Sequence, residues 1–438
     1  MIILEHSTYD GNTISKNFGG AEYSYWFVRK AFRPLLERFG VVVPVANPAK
    51  EVDPIHRSAT QHGIPSLFLS FNPPHCTPLG LDCPTVPVFA WEYDTIPTEI
   101  WHDDPLNDWA GVLRSVPAAV THSRYSADAI RRSLGPDYPV RVIPAPVYAA
   151  KAGHAGSARG WHEAFEFDVG TGLVIDSRAI DLSLFAFGRA ETVGAHALGL
   201  LEQAAAVRGR PVQRLTLTGV VYSSVFNTVD GRKNWNDMVA GFVWAFRHEP
   251  HATLVLKVAH RSMQEGVLPI LAELGKLGPF ACRVIVVHGL LSDEEYARLV
   301  EVSAYTVNTS HGEGQCLPLM EFMAAGRPAI TVRHSAMLDY VSTENAFVVA
   351  SDARPGFWPH DMRQATRCIR YQTNFTELVR CYQESFRVAR DEPERYARLS
   401  AAANAALAAF CSDAVVSESL GSLFRTLALG RTAQKEPA

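Results

Sequence analysis

Short runs of Val, Ile and Leu alternate with stretches of helical periodicity along most of the chain, which predicts parallel strands covered by crossover helices. In the first half, strands are expected at 2–4, 41–45, 66–70, 85–90, 118–121 and 140–143. One helix starts near Ala21 and stops at Gly40; another runs from Ser123, a suitable cap, to Gly135, a suitable stop. In the second half, a strand over 215–226 leads to a helix with Met238, Val239, Phe242 and Phe246 on one face. Strands at 253–258, 283–287, 304–309, 329–332 and 346–349 follow. Helices fill the gaps after Ser262, at 318–325 and after Ser292-Asp293-Glu294-Glu295, which has the S-x-x-E form of a capping box. The pattern gives an α/β chain of two doubly wound domains, 1–148 and 212–373, separated by a linker or insertion at 149–211. Helices at 374–430 and a disordered tail at 431–438 complete the expectation.

Composition narrows the partners. The 438 residues suit two or three domains, and 47% hydrophobic with 20% charged residues is an ordinary globular balance. Lys plus Arg number 41 against 45 Asp plus Glu, so no broad basic field suggests nucleic acid, and a substrate must be recognised locally. Seven scattered cysteines, an odd number with no CxxC pair, suit a reducing compartment. The N-terminus carries Glu5 where an export signal needs positive charge, and no uncharged stretch is expected to span a bilayer. The expected location is cytoplasmic, with peripheral contact at the inner face of a membrane left open by the arginines of 386–399.

The most informative window is His311-Gly312-Glu313-Gly314-Gln315-Cys316-Leu317-Pro318-Leu319-Met320-Glu321. It follows a predicted parallel strand, and open α/β sheets bind ligands at that end. Gly312 and Gly314 permit a sharp turn, and Pro318 suits the first helical position. The amides of Gln315, Cys316 and Leu317 are then expected to point outward at a helix N-terminus, which suits a diphosphate. Glu321, one turn further on, can accept hydrogen bonds from a ribose diol, and Glu313 sits where a sugar would project. In isolation the pair reads more simply as two solvated glutamates at a helix entry.

Continued through Phe322-Met323-Ala324-Ala325-Gly326-Arg327-Pro328-Ala329-Ile330, the window resembles E-G-x-G-L-P-x-x-E-A-M-A-x-G-x-P-V-I, the signature of retaining glycosyltransferases of the GT-B fold, family 4. It departs at Gln315-Cys316, where the family has an aromatic residue and then glycine, and at Phe322 in place of alanine. Asp230-Gly231-Arg232-Lys233-Asn234-Trp235 is similar to the segment whose lysine contacts the donor diphosphate, a role that passes to Lys233. The family's arginine five positions earlier is replaced by Thr228, leaving Arg232 or Lys257 to supply a second positive charge. Gly19-Gly20-Ala21-Glu22 resembles the G-G-A-E loop, whose glycines admit donor phosphate and acceptor. In Trp91-Glu92-Tyr93-Asp94 the histidine that contacts the donor sugar is missing; Glu92 or Asp94 takes its place, or both only cap the next turn.

The resemblance implies two Rossmann-like domains facing a central cleft, and transfer of a sugar from a nucleoside diphosphate sugar to an acceptor hydroxyl with retention. Glu313 and Lys233 are the expected catalytic residues, and Glu321, Arg232, Gln315, Cys316, Leu317, Gly19 and Gly20 the donor-binding ones. The acceptor class is a glycan, a lipid-linked sugar or another hydroxyl compound, in glycan or polysaccharide biosynthesis. No metal or other cofactor is expected, and His62, His75, His122 and His311 are not spaced as a metal set. Two other readings stay open: a nucleotide-sugar epimerase or phosphorylase on the same fold, and a non-catalytic glycosyltransferase-like subunit, suggested by Thr228, Gln315 and Cys316.

Overall fold

The computed structural model describes residues 1–11, 13–14, 19–20, 22–101, 103–152, 164–170, 172–186, 199, 213–359 and 361–433. The first domain is a parallel sheet of β1 (Ile2–His6), β2 (Val41–Pro44), β3 (Ser66–Ser70), β4 (Thr85–Phe89), β5 (Ala119–Thr121) and β6 (Val140–Val142), in the order β2-β1-β3-β4-β5-β6. Every residue of β3 and β4 is buried, as expected of strands covered on both faces. The predicted caps are present: Ser123 Oγ accepts from the Ser126 N–H, and Gly135 closes that helix at φ 102°. The helix expected from Ala21 begins at Ser24.

The second domain pairs β10 (Val220–Phe226), β11 (Ala252–Val258), β12 (Arg283–His288), β13 (Tyr305–Asn308), β14 (Ala329–Val332) and β15 (Ala346–Val349) in parallel. Ser292 and Glu295 form the predicted capping box. Two expectations are corrected here. The single strand at 215–226 is two, because the chain breaks at Thr218-Gly219 between β9 (Gln213–Leu217) and β10. The stretch 149–211 is not a linker throughout, since it supplies β7 (Phe165–Val169) and β8 (Leu173–Asp176). β8 joins the sheet antiparallel to β12, and β7 pairs with β9. Phe165, Phe167 and Val169 of β7 alternate with exposed Glu166 and Asp168, and their buried face packs on Val255, Ile285 and Leu299. The second domain therefore starts before residue 212; of the expected linker or insertion, 153–163, 171, 187–198 and 200–211 lie outside the described residues.

Two further features escaped the sequence pattern. One is the helix Pro48–Gln61; the other is the hairpin of β16 (Ser351–Phe357) and β17 (Arg367–Thr373), whose arginines, proline and glycine break any alternation. The C-terminal helices Phe375–Asp391, Pro393–Cys411 and Asp413–Ala433 were expected only as an appendage, but the last returns to the first domain. Arg38 donates to Asp413 at 2.7 Å, and Phe39 meets Phe424 edge to face at 5.2 Å. That helix reaches Ala433, past the expected start of the tail, and 434–438 lie outside the described residues. Contrary to expectation, Pro393–Leu427 is long and apolar enough to cross a membrane. Here it forms two helices meeting at Ser412, with Leu399, Ala403, Leu407, Val416 and Leu420 buried in the core. Replacing buried Phe424 with alanine is expected to cost about 3 kcal/mol, read as a lower urea midpoint; an unchanged midpoint would show that the contact of the last helix with the first domain does not stabilise the fold.

Candidate functional site

The carboxyl ends of β4, β10 and β13 meet in the cleft around Glu313, which is 2% exposed. Its carboxylate receives Arg232 Nη1 at 2.6 Å, Lys233 Nζ at 2.7 Å and Ser310 Oγ at 2.5 Å. Its backbone is fixed too: the N–H donates to Ser335 Oγ at 2.9 Å, and the carbonyl accepts from the Ala336 N–H. The cations are presented by a single turn, Gly231–Lys233, capped by Asp230 and closed by Asn234 in the left-handed conformation. The Asn234 amide donates to the Thr309 carbonyl, which ties that turn to the end of β13.

Arg232 Nε also lies 3.0 Å from Asp230 and 3.2 Å from Glu92, the latter reaching over from the first domain. Three carboxylates thus face two cations, with Glu313 innermost and the other four side chains partly exposed. Burial would raise the Glu313 pKa, but Arg232 and Lys233 outweigh it and hold it down at about 2. Burial pushes the Glu92 carboxyl up against the pull of Arg232. Burial likewise disfavours charge on Arg232, yet Asp230, Glu313 and Glu92 raise its pKa well above the ordinary value. Lys257, the other candidate for the second charge, is buried at the end of β11, and the cations on Glu313 are Arg232 and Lys233.

The loop from Gly312 stays close to the first domain because it has no side chain there. A Cβ on Gly314 would lie 2.8 Å from Ala90 Cβ and from Trp91 N, so close approach, and no special turn angle, demands the glycine. Cys316 has φ +62° and stands at the N-cap of the helix Leu317–Ala324, which no side chain caps. It adopts the left-handed backbone that favours glycine, and Asn308 Nδ2 lies 3.0 Å from its thiol. Gln315 spends its side chain on the first domain, accepting from the Ala145 N–H. Lys233, Asn308, Ser310, Glu313, Cys316 and Leu319 line a small recess of about 20 Å3. Glu321 accepts from Tyr296 Oη at 2.6 Å, with Lys151 over the Tyr296 ring at 4.7 Å.

On the opposite wall, Gly19 is buried at φ +79°, its carbonyl accepts from Asn227 Nδ2, and a Cβ there would strike the Ala259 carbonyl at 2.2 Å. Gly20 is exposed. Asp94 Oδ1 accepts from the Ile369 N–H of β17 at 2.6 Å, which braces the hairpin, whereas Glu92 faces the cleft. Sequence reasoning passed over Asp230, Ser310, Ser335 and Tyr23, whose phenol feels Lys233, Asp230, Arg232 and Glu313. Only Asp230 and Ser310 carried a signal, as polar residues three positions from Lys233 and Glu313.

No protein-family model matches the chain, and neither does any curated protein sequence. Solved structures do. Sucrose-phosphate synthase from Thermosynechococcus elongatus aligns at 14% identity over 98% of this chain and 99% of its own, with TM-score 0.52. Anabaena Alr3699/HepE in complex with UDP aligns at 13% identity over 97% and 99%, with TM-score 0.51. The chain has the GT-B fold. It spans only 55% of a longer S. aureus TarM chain, which aligns over 82% of this one at 10% identity with TM-score 0.49.

In this GT-B cleft, the depressed Glu313 pKa fixes an acid dependence. The ion pairs are at full strength above the ordinary carboxylate value of 4.5 and weaken as pH falls toward 2. Urea unfolding across that window is expected to show a loss of about 3 kcal/mol that Glu313→Gln abolishes; parallel pH profiles would refute the pairing.

Proposed function

We propose that the chain is a glycosyltransferase that moves a sugar from a nucleoside diphosphate sugar to an acceptor hydroxyl, with retention and without a metal. The observation that carries this reading is Glu313 buried between Arg232 and Lys233 beside an uncapped helix N-terminus. A diphosphate would take over the two cations and the helix end, which stabilise the charge that builds as it leaves. Glu313, freed from Lys233, would face the sugar whose anomeric carbon turns positive. Glu321, hydrogen-bonded to Tyr296 at the rim, suits a ribose diol. The HepE structure is a complex with UDP, and for the present chain a UDP-sugar is the first donor to try. The setting is cytoplasmic glycan or polysaccharide biosynthesis, and the seven cysteines form no disulfide, as a reducing compartment requires. The acceptor is a glycan or other hydroxyl compound, including a lipid-linked one met at the inner face of a membrane.

Thermal melts with UDP, GDP and ADP and their glucose conjugates test the reading. One nucleotide series at a hundred times its Kd is expected to stabilise the chain by about 2.7 kcal/mol. Glu321→Ala is expected to weaken that stabilisation, and Lys233→Ala to depress turnover. If no nucleotide stabilises the chain, or both variants behave as the parent, the site is misassigned.

A further inference from the structure

The first-domain wall carries a group of side chains that the donor reading leaves unused. Trp109 Nε1–H donates to His75 Nδ1 at 3.2 Å. An indole nitrogen only donates, so Nδ1 accepts, and the neutral imidazole carries its proton on Nε2. That nitrogen lies 3.4 Å from Glu22 Oε1, with side-chain exposures of 31% for His75 and 20% for Glu22. The imidazole is also nearly parallel to the Trp109 ring, with centroids 5.7 Å apart, which limits its swing. Cys76 Sγ lies 3.8 and 3.9 Å from the Glu22 oxygens, and Glu22 itself has φ +67°.

The group adjoins the donor cluster. Tyr23, the next residue after Glu22, feels Lys233, Asp230, Arg232 and Glu313. Burial raises the Tyr25 phenol, with Glu92 and Glu22 raising it further, and its hydroxyl contacts the Ala90 carbonyl at 3.4 Å.

Glu22, His75 and Cys76 are close enough together to suggest a metal, but their chemistry is wrong for one. A metal-bound histidine donates its second N–H, whereas here Nδ1 accepts from Trp109. What remains is one fixed acceptor, Glu22, beside one fixed donor, His75 Nε2–H. A hydroxyl group complements both at once, donating to the carboxylate and accepting from the imidazole. A phosphate does not, since the Glu22 carboxylate, 3.4 Å from the imidazole, would repel it.

We propose that Glu22 and His75 bind the acceptor hydroxyl, and that the acceptor unit held there is an uncharged sugar; this rests on the glycosyltransferase reading above. The test measures transfer from the nucleotide-glucose that stabilises the chain to glucose, galactose, mannose, N-acetylglucosamine and glucose 6-phosphate. An uncharged sugar is expected to be the better acceptor. Glu22→Gln and His75→Phe, the second keeping a ring against Trp109, are each expected to raise its KM about tenfold with a smaller change in kcat. Circular dichroism confirms that each variant is folded. Preference for glucose 6-phosphate, transfer to none of the uncharged sugars, unchanged KM in both folded variants, or stabilisation by zinc that Glu22→Gln removes would each overturn the inference. Those outcomes leave nucleotide stabilisation intact, whereas failure of the glycosyltransferase reading removes it.

Discussion

A carboxylate as buried as that of Glu313 is tolerated only when its charge is met, and here Arg232 and Lys233 meet it from one turn of chain. That requirement organises the cleft. The turn must be locked against the end of β13, which Asn234 does through the Thr309 carbonyl. Arg232 must be balanced in turn, which Asp230 does within the second domain and Glu92 does from the first. The two domains are therefore joined by charge at the same point where they would grip a substrate. Removing one partner would strand the others in a site with little water, so the cluster acts as a unit.

Close packing serves the same end. Gly314 lets the loop press on Ala90 and Trp91, and Gly19 lets the opposite loop press on the Ala259 carbonyl. Gln315 reaches to the Ala145 N–H, and Asp339 accepts from the Arg124 N–H. Glu92 and Asp94 show how finely the partition is drawn. Glu92 lies between buried Trp91 and Tyr93 and faces the cation cluster, while Asp94 is turned aside to β17. One supports the candidate chemistry and the other holds the hairpin that borders it.

Much of this was legible in the sequence because its signals are local. Ser123 with Gly135, Ser292 with Glu295, and the apolar runs of β3, β4 and β11 each state their structure within a few residues. The window at 311–321 singled out Glu313 and Glu321 as candidates through its resemblance to the GT-B signature, since the pair alone reads as two solvated glutamates. What stayed hidden depends on contacts distant in sequence. β8 becomes a strand of the second sheet only beside β12, and the final helix binds Phe39 nearly four hundred residues away. Asp94 and Glu22 look alike as loop carboxylates; only β17 and the His75–Trp109 pair give them different tasks.

The most direct measurement is a crystal structure of the chain with the stabilising nucleoside diphosphate bound. The diphosphate oxygens are expected on Lys233 and on the N–H groups at the start of the helix Leu317–Ala324, with the Glu313 carboxylate released from Lys233. A nucleotide bound elsewhere, with Glu313, Arg232 and Lys233 still paired as they are here, would contradict the central claim that this ion cluster holds the donor site ready.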